Sequence, residues 1–317
     1  MRRLLLLAAL AAAPASAETI YVSNERANTI SVIDAATMKV TATWPVGRRP
    51  RGIVLSRDGK QLYVCASDEN AVQVINLATG KVVADLPSGE DPETFALSPD
   101  GNLLFASNER DATVTAIDVP GRKVAFQVVV GVEPEGMAVS PDGRFAVSTS
   151  ETDNAVHWID IARREVVATT ATEDRPRHAE FTADGKQLWV SAELGNSVQV
   201  IDVASRKVID TLRFTVPGIP PEKVMPVQIR FTPDARQAVI ALGRGNAIAI
   251  IDAATRKTRA IVPVGPRVWG VAITPDGRRA ISTDGLSDTV TVVDIASAKP
   301  MGKVVVGRAP WGVVVAP

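Results

Sequence analysis

The chain contains very little of the side-chain chemistry that metal and haem sites need. Its 317 residues include one cysteine, Cys65, and two histidines, His157 and His178. A single cysteine excludes an intrachain disulfide, and the lack of a Cys-x-x-Cys-His motif excludes covalently attached c-type haem. Two histidines also disfavour a histidine-rich metal site, so we predict that the protein binds no metal.

The chain also lacks an excess of charge of either sign. It carries 35 basic and 35 acidic side chains, whereas nucleic-acid-binding proteins usually carry a strong positive charge. Nucleic acid is therefore not an expected partner. With no disulfide to stabilise it, the fold must depend on packing, which a chain of this length can supply.

Long apolar runs are confined to the first residues. Met1-Arg2-Arg3 precedes an apolar stretch, residues 4–13, and then Ala15-Ser16-Ala17. This order is typical of a signal peptide, although a buried N-terminal helix is the alternative. We predict that residues 1–17 are a signal peptide and that residues 18–317 form one domain, exported to the periplasm. No other stretch is long and apolar enough to cross a membrane, so we expect no membrane span.

Two short sequence patterns recur along the rest of the chain in one register. The first is a turn, Ser/Thr-x-Asp followed by Gly or, once, Ala, with aspartates 42, 42, 42, 50 and 42 residues apart. Its six copies contain Asp58, Asp100, Asp142, Asp184, Asp234 and Asp276. The second is an apolar pair ending in Asp or Asn, found at Asp34, Asn76, Asp118, Asp160, Asp202, Asp252 and Asp294. Asp and Gly at such positions are typical of turns, so we interpret both patterns as structural.

A repeat of about 42 residues fits one blade of a β-propeller, which has four short strands joined by tight turns. Apolar and polar residues alternate between the turns, as in antiparallel strands. We therefore predict an all-β protein, a seven-bladed β-propeller of four-stranded antiparallel blades. Residues 18–47 supply three strands without an innermost one, and Gly307 to Pro317 repeat only the innermost strand. The two termini should then share one blade and close the ring.

Three segments carry a resemblance to a known family. Tyr21-Val22-Ser23-Asn24, Leu62-Tyr63-Val64 and Leu188-Trp189-Val190-Ser191 resemble the repeat of YVTN-family β-propellers. Seven such repeats behind a signal peptide are most similar to the PQQ-dependent catabolism-associated β-propeller proteins. That resemblance implies a periplasmic protein associated with PQQ-dependent alcohol oxidation and with a transport operon.

The loops that enter the innermost strands should surround one mouth of the central channel. Their residues just after the usual proline position include acidic, basic and aromatic side chains: Arg51, Glu93, Glu135, Arg177, Trp269 and Trp311. Concave sites with converging polar groups and aromatic walls commonly bind ligands. We predict that these residues bind a small molecule or a periplasmic protein partner at the mouth. A solvated rim of mixed charge is the alternative.

Two adjacent repeats depart from the others inside the predicted strands. Where the other repeats have small or apolar residues, these two have His178, Glu180, Gln228 and Arg230. Glu180 and Arg230 should face each other, because a buried charge without its partner is costly. The one insertion, eight residues within 213–225, joins the same two repeats and could form a lid. The alternative is a structural ion pair beneath a tolerated insertion.

Three functional hypotheses follow. The first is a non-enzymatic binding or scaffold protein without a bound cofactor, because we find no nucleophile motif or metal cluster. The second is a lactonase-like hydrolase that uses this cluster at the mouth of the channel, with His178 as the general base, Glu180 as its partner and Arg230 as the carbonyl or carboxylate clamp. The third, ranked last, is a quinoprotein that binds PQQ. Such enzymes generally have eight blades, and this chain lacks the adjacent cysteine pair that they often place over the quinone.

Overall fold

The structure is a computed structural model that describes residues 18–317, so the predicted signal peptide lies outside the described residues. Within this range the chain forms seven four-stranded antiparallel sheets. Blades 1 to 3 comprise β28 (Pro310–Ala316), β1 (Thr19–Asn24), β2 (Thr29–Asp34) and β3 (Lys39–Pro45); β4 (Pro50–Leu55), β5 (Gln61–Ala66), β6 (Ala71–Asn76) and β7 (Lys81–Pro87); and β8 (Pro92–Leu97), β9 (Leu103–Asn108), β10 (Thr113–Asp118) and β11 (Lys123–Val129).

Blades 4 to 7 repeat this arrangement. They comprise β12 (Pro134–Val139), β13 (Phe145–Ser150), β14 (Ala155–Asp160) and β15 (Glu165–Ala171); β16 (Pro176–Phe181), β17 (Gln187–Ala192), β18 (Ser197–Asp202) and β19 (Lys207–Arg213); β20 (Pro226–Phe231), β21 (Gln237–Leu242), β22 (Ala247–Asp252) and β23 (Thr258–Pro263); and β24 (Val268–Ile273), β25 (Arg279–Asp284), β26 (Thr289–Asp294) and β27 (Lys299–Val305). Two single-turn 3₁₀ helices, Ser67–Glu69 and Pro221–Lys223, lie in connecting loops.

The two ends of the chain close the ring, as the repeat pattern predicted. The C-terminal strand β28 pairs with β1, with Tyr21 opposite Val314 and Thr19 opposite Ala316. Each innermost strand contacts the innermost strands of both adjacent blades, including β28 with β24 and with β4. The prediction of a seven-bladed β-propeller closed by both termini is therefore confirmed.

The recurring turn between the first and second strands of a blade is stabilised by its own side chains. In blade 4, Ser140 Oγ donates to Asp142 Oδ1 at 2.6 Å, and Gly143 has a φ of 72°, a conformation that glycine adopts without strain. These turns lie on one face of the ring, here called the turn face. The loops between blades lie on the opposite face, here called the loop face.

The hydrophobic core lies between neighbouring blades. Trp158 of blade 4 is fully buried and makes an edge-to-face contact with Phe181 of blade 5 at 6.1 Å between ring centroids. Such aromatic contacts add to the stabilisation from buried area. Among residues 18–317, no helix is long and apolar enough to span a bilayer.

Hydroxyl groups hold the innermost strands together at one repeated position. Ser23 Oγ donates to the Arg51 carbonyl oxygen of the next blade at 2.6 Å, and Ser107 Oγ donates to the Glu135 carbonyl oxygen at 2.6 Å. Cys65 occupies the same position in its blade and is fully buried. Burial raises the pKa of its thiol well above the usual value, which keeps the group protonated and chemically inert.

Candidate functional site

Every innermost strand begins with an irregularity that orients its first side chains. In blade 2, Pro50 pairs with Ala66 and Ile53 with Val64, so two residues, Arg51 and Gly52, lie opposite one. The same break in register occurs in all seven blades. Such β-bulges re-aim a side chain at the edge of a sheet. The residue after the loop proline is therefore directed towards its counterparts in other blades.

The residue before each innermost strand is also held in an unusual conformation. It has a positive φ in all seven loops, namely at Arg49, Asp91, Glu133, Arg175, Met225, Arg267 and Ala309. In six of the seven, its N–H donates to an Asn or Asp of the preceding blade, as Arg49 does to Asn28 Oδ1 at 3.0 Å. Left-handed non-glycine residues cost energy and often mark functional positions. Sequence reasoning missed this device, although the Asn residues recur with the period of the repeat.

The six predicted mouth residues come together and contact one another. These residues, Arg51, Glu93, Glu135, Arg177, Trp269 and Trp311, are here called the mouth ring. Trp269 stacks on Trp311 with 6.4 Å between centroids, the Arg51 guanidinium lies 5.8 Å from the Trp311 ring, and the Arg177 guanidinium lies 5.4 Å from the Trp269 ring. Arg51 also pairs with Glu93, and Arg177 Nη2 lies 3.1 Å from Glu135 Oε1. Blade 6 contributes Val227, which is buried.

Further ion pairs surround the ring. Arg177 also binds Glu151, and Arg267 Nη2 lies 2.7 Å from Glu193 Oε1. Glu151 and Glu193 come from turns between the second and third strands, and the Glu151 N–H bonds the Glu133 carbonyl oxygen at 2.9 Å. These turns therefore lie at the same mouth as the loops between blades. Arginines and carboxylates pair across the ring, so most of its charged side chains bind one another and occupy the mouth of the channel at the loop face.

The carboxylates of the mouth differ in how easily they lose a proton. Burial raises the pKa of Glu135 well above its usual value, and Glu93 and Glu151 add to the shift although Arg177 opposes it. Burial also disfavours the charged form of Glu93, but Arg51 and Arg49 outweigh it and lower the pKa of that carboxyl. For Glu109, burial and a hydrogen bond with Glu93 raise the pKa to about 7. The hydrogen bond between Glu109 and Glu93 therefore favours a proton on Glu109 and the ionised form of Glu93.

The acidic sector also brings three potential metal ligands together. Carboxylate oxygens of Asp91, Glu93 and Glu109 lie within 4.8 Å of one another. Arg49 donates to Asp91 Oδ1 at 2.6 Å and also to Glu93, so a guanidinium group already balances two of these carboxylates. The expectation that the protein binds no metal stays a prediction.

The second predicted cluster is joined by one guanidinium nitrogen. Arg230 Nη1 lies 2.6 Å from Glu180 Oε2 and 3.0 Å from His178 Nε2. The predicted contact of Glu180 with Arg230 is therefore present, and it links blades 5 and 6. Burial, followed by the adjacent charge of Arg230, lowers the pKa of His178 well below 6.5, whereas burial raises the pKa of Glu180.

These contacts define the protonation state of the imidazole. Arginine can only donate hydrogen bonds, so His178 Nε2 must accept and the proton of the neutral ring must sit on Nδ1. His178 Nδ1 is buried and has no hydrogen-bond partner among the described residues. The imidazole therefore presents a free donor, and its one basic nitrogen is already bonded to Arg230.

His178 lines a small cavity in the channel, beneath the mouth ring. The cavity has a volume of about 40 Å³ and is also lined by Gln228, Arg230 and Trp311. This is room for roughly three water molecules or one carboxylate group. Trp311 Nε1 is buried without a partner within the described chain, and Gln228 Oε1 is occupied by the Val271 N–H at 2.7 Å. Two side chains that line this cavity thus carry donors without partners in the described chain, His178 Nδ1 and Trp311 Nε1, and donors suit carbonyl or carboxylate oxygens.

The channel widens from this cavity towards the turn face. Two adjoining pockets of about 240 Å³ and 280 Å³ share Val54, Leu55 and Arg230. Glu180 lines the pocket of about 240 Å³. The sequence placed this cluster at the mouth, but Glu180 is the fourth residue after Pro176, which is roughly 13 Å along a strand. Glu180 and Arg230 therefore face away from the mouth, and the site opens through the turn face.

The eight-residue insertion is anchored rather than free. Phe214, Val216 and Val224 are buried and pack against the core between blades 5 and 6, together with Val198 and Ile240. The sequence suggested a lid at this position. In the structure the apolar side chains of the insertion extend the core on the loop face, on the side away from the opening of the channel.

Comparisons with known proteins agree with this architecture. Residues 8–94 match a family model described as YNCE-like beta-propeller, and residues 137–304 match one described as Lactonase, 7-bladed beta-propeller. A comparison with curated proteins returned no match. Neither family model carries the association with PQQ-dependent catabolism, which stays a prediction.

Solved structures share the fold at low identity. Kuenenia stuttgartiensis hydrazine synthase is 23% identical with a TM-score of 0.74, over 84% of this chain and 89% of that chain. A protein of unknown function from Desulfotomaculum acetoxidans is 15% identical with a TM-score of 0.80, over 94% of this chain and 98% of that one. Such likeness establishes the fold alone. The lactonase match covers more than half of the chain, and the protein therefore belongs to the lactonase family of seven-bladed β-propellers.

Proposed function

We propose that the protein hydrolyses a lactone at the cluster of His178, Glu180 and Arg230. The observation that carries this proposal is the single Arg230 nitrogen that bridges His178 Nε2 and Glu180 Oε2 at the inner end of an open channel. The cluster replaces small or apolar residues of the other blades, and the membership of a lactonase family supports a hydrolytic reading.

The chemistry assigns different roles from those that the sequence suggested. His178 cannot serve as the base while its Nε2 accepts from Arg230, so Glu180 takes that role through the carboxylate oxygen that Arg230 leaves free. Water attacks the lactone carbonyl carbon as Glu180 accepts its proton. The oxyanion is stabilised by donors from Arg230 and His178 Nδ1. The ring C–O bond then breaks and the leaving oxygen takes the proton from Glu180, which gives a hydroxy acid that loses its carboxyl proton to solvent and leaves as a hydroxy-carboxylate.

Replacing Glu180 by glutamine tests this role. Loss of a general base typically lowers kcat by about 10²- to 10⁴-fold, whereas the amide keeps an oxygen that can accept from Arg230. Binding of the hydroxy-carboxylate product should persist, because the donors remain. Hydrolysis of γ-lactones followed by pH-stat, together with calorimetric titration of the product, measures both. Since burial raises the pKa of Glu180 and only its ionised form is a base, wild-type kcat should rise with pH through that raised value.

A matched control separates catalysis from general effects of charge. Glu165→Gln changes an exposed glutamate at the start of β15, and its kcat should equal that of the wild type. If Glu180→Gln hydrolysed lactones within threefold of the wild-type rate, Glu180 would not be the base and the proposal would be wrong.

A non-enzymatic binding protein is the second candidate, and one observation favours it. The residues that line the inner cavity include two donors without partners in the described chain, His178 Nδ1 and Trp311 Nε1, which suit retention of a carboxylate as well as its formation. Tight binding of hydroxy-carboxylates with no turnover of any lactone would support this function over hydrolysis. A periplasmic protein partner at the mouth also stays a proposal; the side chains of the mouth ring are mostly buried against one another.

The cellular setting is a further proposal, based on residues 1–17 and on the resemblance of the repeats. We expect export to the periplasm and a role beside PQQ-dependent alcohol catabolism or its transport system. Protein recovered from the periplasm should begin at Glu18, and an intact N-terminus in the cytoplasmic fraction would contradict export. PQQ as a bound ligand stays the third hypothesis and is ranked last.

A further inference from the structure

Most of the side chains that line the channel on the turn-face side are apolar. The two pockets that open there are lined by apolar side chains of several blades, including Val54, Leu55, Phe95, Leu97, Met137, Phe181, Phe231, Ile273, Val313 and Val315. This widening is here called the funnel. Its only charged side chains deep in the wall are Glu180 and Arg230, whereas Arg57 lies in a turn at the rim.

Polar side chains line the inner part of the channel, and mostly apolar side chains line the part nearer the turn face. Donor groups of His178, Gln228 and Trp311 line the small inner cavity, and Arg230 lines both that cavity and the funnel. Phe95 and Met137 also line both spaces, so the two spaces adjoin. A ligand that fills this path therefore has an oxygen-rich head at its inner end and an apolar body behind it.

The opposite end of the channel offers no second entrance of this kind. The mouth ring is closed by the stack of Trp269 on Trp311 and by the pairs of Arg177 with Glu135 and Arg51 with Glu93. Glu93 and Glu135 are almost completely buried. An apolar chain attached to the head can extend only towards the turn face.

We propose that the substrates are lactones with an unbranched apolar chain, and that the chain lies in the funnel and enters from the turn face. The inference rests on the proposed function for the position of the head group. Burial of one methylene contributes about fourfold to affinity. Affinity for the open-chain carboxylates should therefore increase steeply with chain length until the chain reaches the rim.

The first measurement uses the wild-type domain and a series of ligands with one head group. Acetate, butanoate, hexanoate, octanoate and decanoate are titrated by calorimetry, and γ-butyrolactone, γ-octalactone and γ-decalactone are assayed for hydrolysis. We expect Kd and KM to fall at least 100-fold from the shortest to the longest member. An affinity that does not change with chain length would overturn the inference, while continued loss of turnover in Glu180→Gln would leave the proposed function intact.

The second measurement narrows the funnel. Ala96 is partly exposed in the funnel wall, so Ala96→Leu should weaken binding of octanoate and decanoate at least tenfold and leave acetate within twofold. Ala36→Leu, in an exposed turn, is the matched control and should leave all ligands unchanged. Equal weakening of short and long ligands would place the chain elsewhere. If no carboxylate or lactone of any length bound, the proposed function itself would fail.

Discussion

Replacing Arg177 by methionine should lower the free energy of unfolding by about 3–5 kcal/mol, because the guanidinium is buried among three carboxylates. Its nitrogens bind Glu151, lie 3.1 Å from Glu135 and lie 3.8 Å from Glu193, and all four side chains are less than a tenth exposed. Methionine fills similar space but leaves these charges without their central cation. Urea denaturation at pH 7.5 measures the loss.

The loss should depend on pH in a stated direction. Burial opposes ionisation of Glu193, but Arg177 and Arg267 outweigh it and lower its pKa, which stabilises the wild type above the unfolded pKa of a glutamate. That stabilisation disappears as the pH falls through the lowered value. The difference between variant and wild type should therefore be largest above the unfolded pKa of a glutamate and shrink as the pH falls through the lowered pKa of Glu193.

Arg175 provides the control for this prediction. It lies 2.7 Å from Glu151 and 3.5 Å from Glu193, but 44% of its side chain is exposed. Solvent screens such a pair, so Arg175→Met should cost less than about 1 kcal/mol. Equal losses in the two variants, or a loss in Arg177→Met that does not change with pH, would show that the mouth ring is not held by buried charge.

A chain that ends at Val306 should fail to unfold in one cooperative transition. It lacks β28, the innermost strand of blade 1, and with it the buried Trp311 and Val313. It also leaves β1 with an unpaired edge and removes the carbonyl that Thr283 Oγ1 binds at 2.7 Å. An open ring exposes both flanking blades, so we expect low solubility and a broad thermal transition by circular dichroism.

Moving the strand, rather than deleting it, is the control. Ala316 lies opposite Thr19, so residues 307–316 placed before Glu18 and joined by Pro-Asp-Gly would form the same hairpin that other blades use. This rearranged chain should regain a single sharp transition. A truncated chain that unfolded as cooperatively as the full chain would mean that closure by β28 contributes little.

Much of the fold could be predicted because each blade needs the same turn residues and the same alternation of apolar residues. The turn aspartates and the apolar pairs recur in one register, and the missing strand at one terminus matches the extra strand at the other. The same register aligned Glu180 with Arg230, since residues at one repeat position lie side by side in adjacent innermost strands. Comparison between repeats therefore located an ion pair that no motif describes.

The remaining features depend on side-chain reach, which a repeat pattern does not contain. Arg177 reaches Glu151 and Glu193, and Trp269 stacks on Trp311 of another blade. The side chains that the sequence predicted to bind a ligand at the mouth therefore largely bind one another. The protonation of His178 follows from one contact with Arg230. These side-chain contacts together determine that the channel opens at the turn face.

A channel with one open end also constrains the order of events at the site. If the protein is the hydrolase proposed above, the product must leave by the path along which the substrate arrived, so the two can never pass each other. Product and substrate therefore compete for the same free enzyme, and release of the product precedes each new encounter. A longer apolar chain that strengthens binding through the funnel also slows departure, so the best-bound substrates need not be those turned over fastest.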